Sequence, residues 1–274
     1  MHISFEEIGG RGIGKPYETQ ELMAVVMSRQ LRDNELAGTG AGSAMARAAC
    51  RLAQLLHAPG LSYLAGGSGA VNPYLEPLVA SSCDYANLLC ESTLQLAELI
   101  SSIPAGRVDV FFYGGLQVDR YGNVNLSRVG DPTRPRFRGP GAVALPLIGA
   151  ARRGIIFMTD HSPRSFVEKV SFLTAPGFLD GPESWEKARA EGQIRGEGPV
   201  MVITPLAVLD FEESTRRMRL VSVHPGVTVE QVQAATGFEL ILPAQVPTTT
   251  PPDPTEIRLL REIDEERLLS QPLN

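Results

Sequence analysis

The chain has 274 residues, 43% of them hydrophobic, with 25 basic against 31 acidic side chains and a net charge of −6. That is enough apolar material for a large buried core, as one big domain or two small ones. A mildly acidic chain excludes a general affinity for nucleic acid or anionic membrane, which needs a basic surface. The uncharged stretch over residues 139–151 is broken by Pro140 and Pro146. It is far shorter than the ~20 residues of a membrane span. The first residues carry no apolar signal region, and Cys50, Cys83 and Cys90 fit no metal pattern. The expectation is a cytoplasmic protein with free thiols, no bound metal and no membrane association.

Residues 1–17 are Gly-rich and patternless and read as an N-terminal extension; 18–274 read as a single domain. From Glu18 the pattern turns helical, with Leu22, Val25 and Val26 on one face, and ends near Asp33 and Asn34. The run Gly38-Thr39-Gly40-Ala41-Gly42 follows. A second helix then carries Met45, Ala49, Leu52 and Leu56 and stops at Pro59-Gly60. Residues 61–65 read as a short buried strand entering the turn Gly66-Gly67-Ser68-Gly69. Residues 90–103 read as a helix, and 108–113 as a strand that ends at Gly114-Gly115. Residues 119–142 carry most of the turn chemistry. Strands are expected over 154–159, 200–204, 207–211 and 219–223, the last pairing with its predecessor across the polar turn 212–217. Thr228 caps a short helix through Ala235 with Gly237 just past its end. Residues 243–254 read as a Pro/Thr-rich linker, and 255–269 as an amphipathic helix with Ile257, Leu260 and Ile263 on one side. Strands alternating with helices imply an open α/β fold with a mostly parallel sheet and a C-terminal helix.

Four groups of residues could carry chemistry. The glycines at 38, 40 and 42 would let backbone amides approach a ligand at a helix N-terminus, which favours negative charge. Ser43 breaks the dinucleotide-binding spacing and no P-loop lysine follows, so a plain tight turn accounts for the run as well. Gly66-Gly67-Ser68-Gly69-Ala70 nearly spells a nucleophile elbow, with His161 or His224 as the base. An elbow needs a helix at once, however, and Val71-Asn72-Pro73 reads as extended chain, which favours a glycine turn. Neither histidine has a partner at metal-ligand spacing, and both read as turn or surface residues, although a strand-end histidine can face an active site. Arg134, Arg136 and Arg138 alternate along one side of an extended loop. They could hold a phosphate or carboxylate, or simply face solvent.

At residues 112–125, FYGGLQVDRYGNVN, the chain resembles the β subunits of the class I CoA-transferase family. The similarity takes in GTG at 38–40, the glycine turn at 66–69, GD and RFRGPG at 130–141, APGFLDGP at 175–182, ATGFEL at 235–240 and PDPTEIRLLREID at 252–264. It runs in the same order over about residues 18–267. The resemblance implies an open α/β fold paired with a homologous α subunit, as αβ or α2β2, around an active site for an acyl-CoA thioester. Coenzyme A enters as part of the substrate, with no other cofactor. In the family's transferases a glutamate at the strand-end turn attacks the thioester, and amides of the GxG turn, Gly38 and Gly40 here, stabilise the oxyanion. Gly115, Gly139 and Gly141 are further expected as backbone contacts, and Gln117 with the three arginines as substrate contacts.

Here the glutamate's position is held by Gly66 or Gly67, and no Asp or Glu lies between Glu35 and Glu76. Some family members lacking this glutamate hydrolyse a carbon–carbon bond in a steroid-derived CoA ester. Others decarboxylate an acyl-CoA with a cysteine in the turn, where this chain has none. Residues 118–125 and 222–228 are similar to the ring-opening type; 175–182 and PDP are similar to glutaconate CoA-transferase. The expectation is a β-type subunit acting on acyl-CoA. Carbon–carbon hydrolysis and a non-catalytic role completing the α subunit's site stand as alternatives.

Overall fold

A computed structural model describes residues 16–73, 78–142 and 144–270, so the N-terminal extension lies almost wholly outside the described residues. Helix α1 (Thr19–Ser28) begins where Glu18 and Glu21 close a capping box, the Glu18 amide donating to Glu21 Oε2 at 2.7 Å. Strand β1 (Leu36–Thr39) leads through the 40–42 turn into α2 (Ala44–Leu56), and β2 (Ser62–Ala65) returns parallel to β1. The chain then reverses twice, adding β3 (Ala70–Pro73) and β4 (Cys90–Thr93) antiparallel at the edge.

The single helix expected over 90–103 is corrected. Residues 90–93 are β4, and helix α3 (Leu96–Ser102) starts only at Gln95, which forms a capping box with Glu98. Pairing with β3 supplies the backbone hydrogen bonds of β4, and local periodicity does not contain that partner.

Strand β5 (Val110–Tyr113) lies on the other side of β1. An excursion follows through β6 (Gln117–Asp119), β7 (Val124–Asn125) and the hairpin β8 (Arg128–Gly130) with β9 (Pro135–Arg138). Strand β10 (Arg153–Phe157) returns beside β5, and β11 (Phe166–Val167) joins β6. Helix α4 (Pro182–Ala190) precedes β12 (Pro199–Ile203), β13 (Ala207–Phe211) and β14 (Met218–Val223), and α5 (Val229–Ala235) and α6 (Pro254–Ile263) finish the chain. The main sheet runs β14-β13-β12-β10-β5-β1-β2-β3-β4. Its five central strands, β12 to β2, are parallel, and an antiparallel pair flanks each side.

A parallel centre must be covered on both faces. All four β5 residues are buried: Val110 and Phe112 join the core under α1, α2 and α6, while Phe111 and Tyr113 join the opposite core. The helical layer is pinned by Arg261 on Glu21 at 2.7 Å and Arg29 on Glu256 at 2.6 Å. The segment expected as a linker is instead a strap along β14. Leu220 donates its amide to Ile241, Val223 to Pro247, and the Thr249 amide returns to Val223 at 2.8 Å. An edge is where prolines are tolerated, because only one side of each residue faces the sheet. The terminal helix is also shorter than expected; Asp264 accepts from the Leu268 and Leu269 amides after it ends. Among the described residues no helix is long and apolar enough to cross a membrane.

The motif DRYGNVN is a buried polar knot. Asp119 accepts from the Tyr121 amide and from the amide and side chain of Asn123, whose Oδ1 accepts from Gly177 and Leu179. Burial pushes the Asp119 carboxyl up to about 6. It pushes the buried His161 imidazole down to about 4. For Asp119 the folded value lies above the ordinary 3.8, so its contribution to stability is complete below 3.8 and lost as pH rises through 6. For His161 the folded value lies below the ordinary 6.5, so its contribution is present above 6.5 and lost as pH falls through 4. The two offset each other across the same window. In Asp119→Asn the Asp119 contribution is gone, so the variant's unfolding free energy, measured by urea titration, should gain about 3 kcal/mol on wild type between pH 4 and 6. A difference that does not change with pH would refute this.

Candidate active site

All five parallel strands end at one cavity of about 990 Å3. Gly40 follows β1, Gly67 follows β2, Gly115 follows β5, and Thr159 and Pro205 lie just past β10 and β12, and all five line it. The carboxyl ends of parallel strands are where open α/β sheets bind ligands, because the connections diverge there and leave a crevice. Helix α2 begins at the same place, with Ser43, Ala44 and Met45 on the cavity wall. Its N-terminal amides bring a partial positive charge to the crevice.

Of the residues singled out in the sequence, Gly38, Gly40, Gly66, Gly67, Gly115 and Gly141 line the cavity. Gly38 lies inside β1, where the Phe111 ring takes the space of a side chain: a Cβ there would sit 2.5 Å from the ring. Gln117, Gly139, Arg134, Arg136 and Arg138 are not among the lining residues. Gln117 is buried in the fold, its Oε1 accepting from Asn125 Nδ2 at 2.9 Å and the Ser171 amide at 3.0 Å. The three arginines stand exposed on and beside β9. Ser68 is turned into its own loop, donating to the Ala65 carbonyl at 3.3 Å and accepting the Ala70 amide, and the chain continues into β3 rather than a helix.

The surface reading of the histidines is corrected. His161 is buried between Thr204 Oγ1 at 2.9 Å and Thr236 Oγ1 at 3.0 Å, stacked on Phe166. His224 is buried between Thr249 Oγ1 and the Thr204 carbonyl. Both ring nitrogens of each are engaged within the fold.

The turn after β2 is held from two sides. The Gly66 amide donates to the Thr39 carbonyl at 3.0 Å. The buried Ser82 hydroxyl shares its one proton between the Gly66 carbonyl and the Ala41 carbonyl, the latter at 3.0 Å, and the Ser82 amide donates to the Ala41 carbonyl at 2.8 Å. A Cβ on Gly66 would lie 2.1 Å from the Thr39 carbonyl oxygen; one on Gly67, whose φ is +122°, would lie 2.6 Å from Cys83 Sγ. The Cys83 thiol thus fills the space into which a side chain at position 67 would extend. No motif in the sequence flags it, because it comes from a separate loop downstream. That loop is anchored on the fully buried Arg47, which donates to Asn87 Oδ1 at 2.9 Å and to the Val79 carbonyl. Burial lowers the Arg47 pKa, the cost of fixing the loop with a charged group.

A family model described as Coenzyme A transferase matches residues 21–235. The chain belongs to the coenzyme A transferase family. This coenzyme A transferase family member is 33% identical over 251 residues to a 3-oxoadipate CoA-transferase subunit of Pseudomonas knackmussii, covering 90% of this chain and 94% of that one. It is 30% identical over 251 residues to the cholesterol ring-cleaving hydrolase IpdB subunit of Mycobacterium tuberculosis, covering 91% and 95%. Its fold matches glutaconate coenzyme A-transferase from Acidaminococcus fermentans with a TM-score of 0.82 at 28% identity, over 94% of this chain and 98% of that one. The family is one of enzymes, and its named members include a hydrolase beside the transferases.

The two glycines of the turn should respond differently to a methyl group. Gly66→Ala meets a backbone carbonyl that cannot step aside and should cost about 3 kcal/mol of stability. Gly67→Ala meets the end of a movable side chain and should cost about 1–2 kcal/mol, mainly from its left-handed backbone. Denaturant midpoints of the two variants check the ranking; equal costs would contradict the close approach at Thr39.

Proposed function

We propose that this chain is the β-type subunit of an enzyme that binds an acyl-CoA thioester at the strand-exit cavity and activates it without forming a covalent glutamyl-CoA intermediate on this chain. One observation carries the reading. The turn facing the cavity consists of Gly66 and Gly67, with no carboxyl group, no room for a Cβ at 66, and the Cys83 thiol in the way at 67. With the family's transferase glutamate taken to correspond to Gly66 or Gly67, this chain has no carboxylate there to attack a thioester.

What this chain retains is the means to polarise a carbonyl. The turn at Gly40 and the first turn of α2 line the cavity, and backbone amides there would favour negative charge on a thioester oxygen. Polarisation acidifies the carbon next to the carbonyl. That suits proton transfer and hydrolytic carbon–carbon cleavage by an acid or base supplied from an α subunit. The named ring-cleaving hydrolase relative supports this outcome, whereas the 33% relative favours CoA transfer. The two differ in whether CoA becomes attached to protein. After incubation of the assembled complex with acyl-CoA, borohydride reduction and peptide mass spectrometry should show no modified carboxylate on this chain. An adduct on any Asp or Glu here would restore the transferase mechanism.

The α partner is supported by exposed apolar side chains around β4. Tyr85 is 86% exposed and Leu89 69%, and Leu96, which lines the cavity, is 62% exposed. Such a patch marks an interaction surface in a soluble chain. Sedimentation of the chain alone should show self-association that disappears when the α subunit is added; a well-behaved, fully active monomer would exclude the paired assembly.

A further inference from the structure

Tyr113 ends β5 and lines the strand-exit cavity, yet it is only 3% exposed. Its ring does not leave the sheet at the strand end. It lies back across β10, where Gly154 makes room for it: a Cβ there would sit 2.8 Å from ring carbon Cε1 and 3.0 Å from the phenol oxygen. Gly154 is level with Phe111, two residues before Tyr113. The oxygen therefore lies about 6–7 Å back along the strand from its exit. The cavity reaches this depth, because its lining includes Val108, which precedes β5, and Ser102 and Ile103 at the end of α3.

The phenol has no hydrogen-bond partner among the described residues. Thr39 and Ser102, which share the wall, spend their hydroxyl protons on the Leu64 and Leu99 carbonyls at 3.1 and 2.6 Å. The Tyr113 proton is not spent in this way. Burial raises the phenol pKa with no bond or charge opposing it, so the group stays protonated and its O–H remains a donor. A buried tyrosine hydroxyl normally finds a partner, because a donor left unmade loses its hydration without compensation. With Tyr113 enclosed by this chain's own wall, the group that meets its hydroxyl has to come through the cavity.

On the acyl-CoA reading, on which this inference rests, the thioester sits at the exit glycines and the acyl chain is the part that runs inward. A hydrocarbon chain brings no acceptor to the phenol. A chain carrying a ketone or carboxylate oxygen does, and the bond then forms between groups already stripped of water, where it is electrostatically stronger. A carboxylate would make the stronger, charge-assisted bond. We infer that Tyr113 is a substrate-binding residue whose hydroxyl donates a hydrogen bond to an oxygen carried by the acyl chain of the bound CoA ester. The fold leaves this donor open at some cost to its own stability, and the substrate supplies the acceptor.

Three CoA esters of equal chain length test this: hexanoyl-CoA with a terminal methyl, 5-oxohexanoyl-CoA with a ketone, and adipyl-CoA with a terminal carboxylate. Their dissociation constants are measured by titration calorimetry on the full chain assembled with its partner subunit, as wild type and as Tyr113→Phe, which removes the hydroxyl and keeps the ring. Relative to hexanoyl-CoA, the variant should weaken the ketone ester about 5-fold or the carboxylate ester about 10-fold or more. The larger loss identifies which oxygen the phenol meets. Without ligand, the denaturant midpoint of the variant complex should match or exceed that of wild type, because a buried donor that nothing in the fold uses is gone. A lower midpoint would put the hydroxyl's bond inside the fold, and an equal change in affinity for all three esters would reduce Tyr113 to pocket shape. Either result overturns the inference while leaving the acyl-CoA reading intact. Failure of CoA and every ester to bind at all would overturn both.

Discussion

The exits of β1 and β2 approach so closely that the Thr39 carbonyl accepts the Gly66 amide and occupies the space of any side chain there. That constraint sets the shape of everything around it. It brings the 40–42 turn and the 66–69 turn to the same point, where one buried hydroxyl, Ser82, bonds to both. The loop of residues 78–89 is then registered against the sheet, with Asn87 as its internal brace and Arg47 of α2 bonded to it. The crevice is therefore framed by backbone whose position depends on hydrogen bonds of the fold, and little of it depends on free side chains. Groups preorganised in this way can stabilise charge without reorganising when it develops.

The two faces of the sheet have separate tasks. The helical face is closed by α1, α2 and α6 and locked by Arg–Glu pairs that bridge the beginning and end of the chain. The opposite face carries the excursion from β6 to β9, whose buried polar knot around Asp119 and Asn123 holds the 175–180 segment in place. Stability is concentrated in these layers, and the strand exits between them are left to glycines. Loops on a rigid scaffold are the usual seat of function for this reason.

Much of this organisation is legible in the residues. The apolar run of β5, the heptad-free helical spacing of α2 and the capping signal at Thr228 each mark an element that forms for local reasons. The glycine turns at 38–42 and 66–69 are legible too, because few other residues tolerate such approaches. What stayed hidden depends on partners distant in sequence. Strand β4 exists because β3 lies beside it, and the strap over 241–249 because β14 has an open edge. Two histidines with no recognisable neighbours are buried because threonines from other segments meet their ring nitrogens. Gln117, expected at the substrate, is drawn into the fold by Asn125 and Ser171. Cys83 reaches the turn only through the course of its loop.

The strap along β14 has a consequence for how these chains can meet. A sheet edge with unpaired backbone groups is a template for another strand, and a sheet with two such edges can polymerise without limit. Here the β14 edge is occupied by the chain's own 241–249 segment, while β4 ends the sheet on the other side among the described residues. Pairing through one edge of the main sheet alone gives a pairwise, self-terminating contact, in which each partner uses up the other's edge. Extension of the main sheet past β14 is thus blocked by a segment of the chain itself.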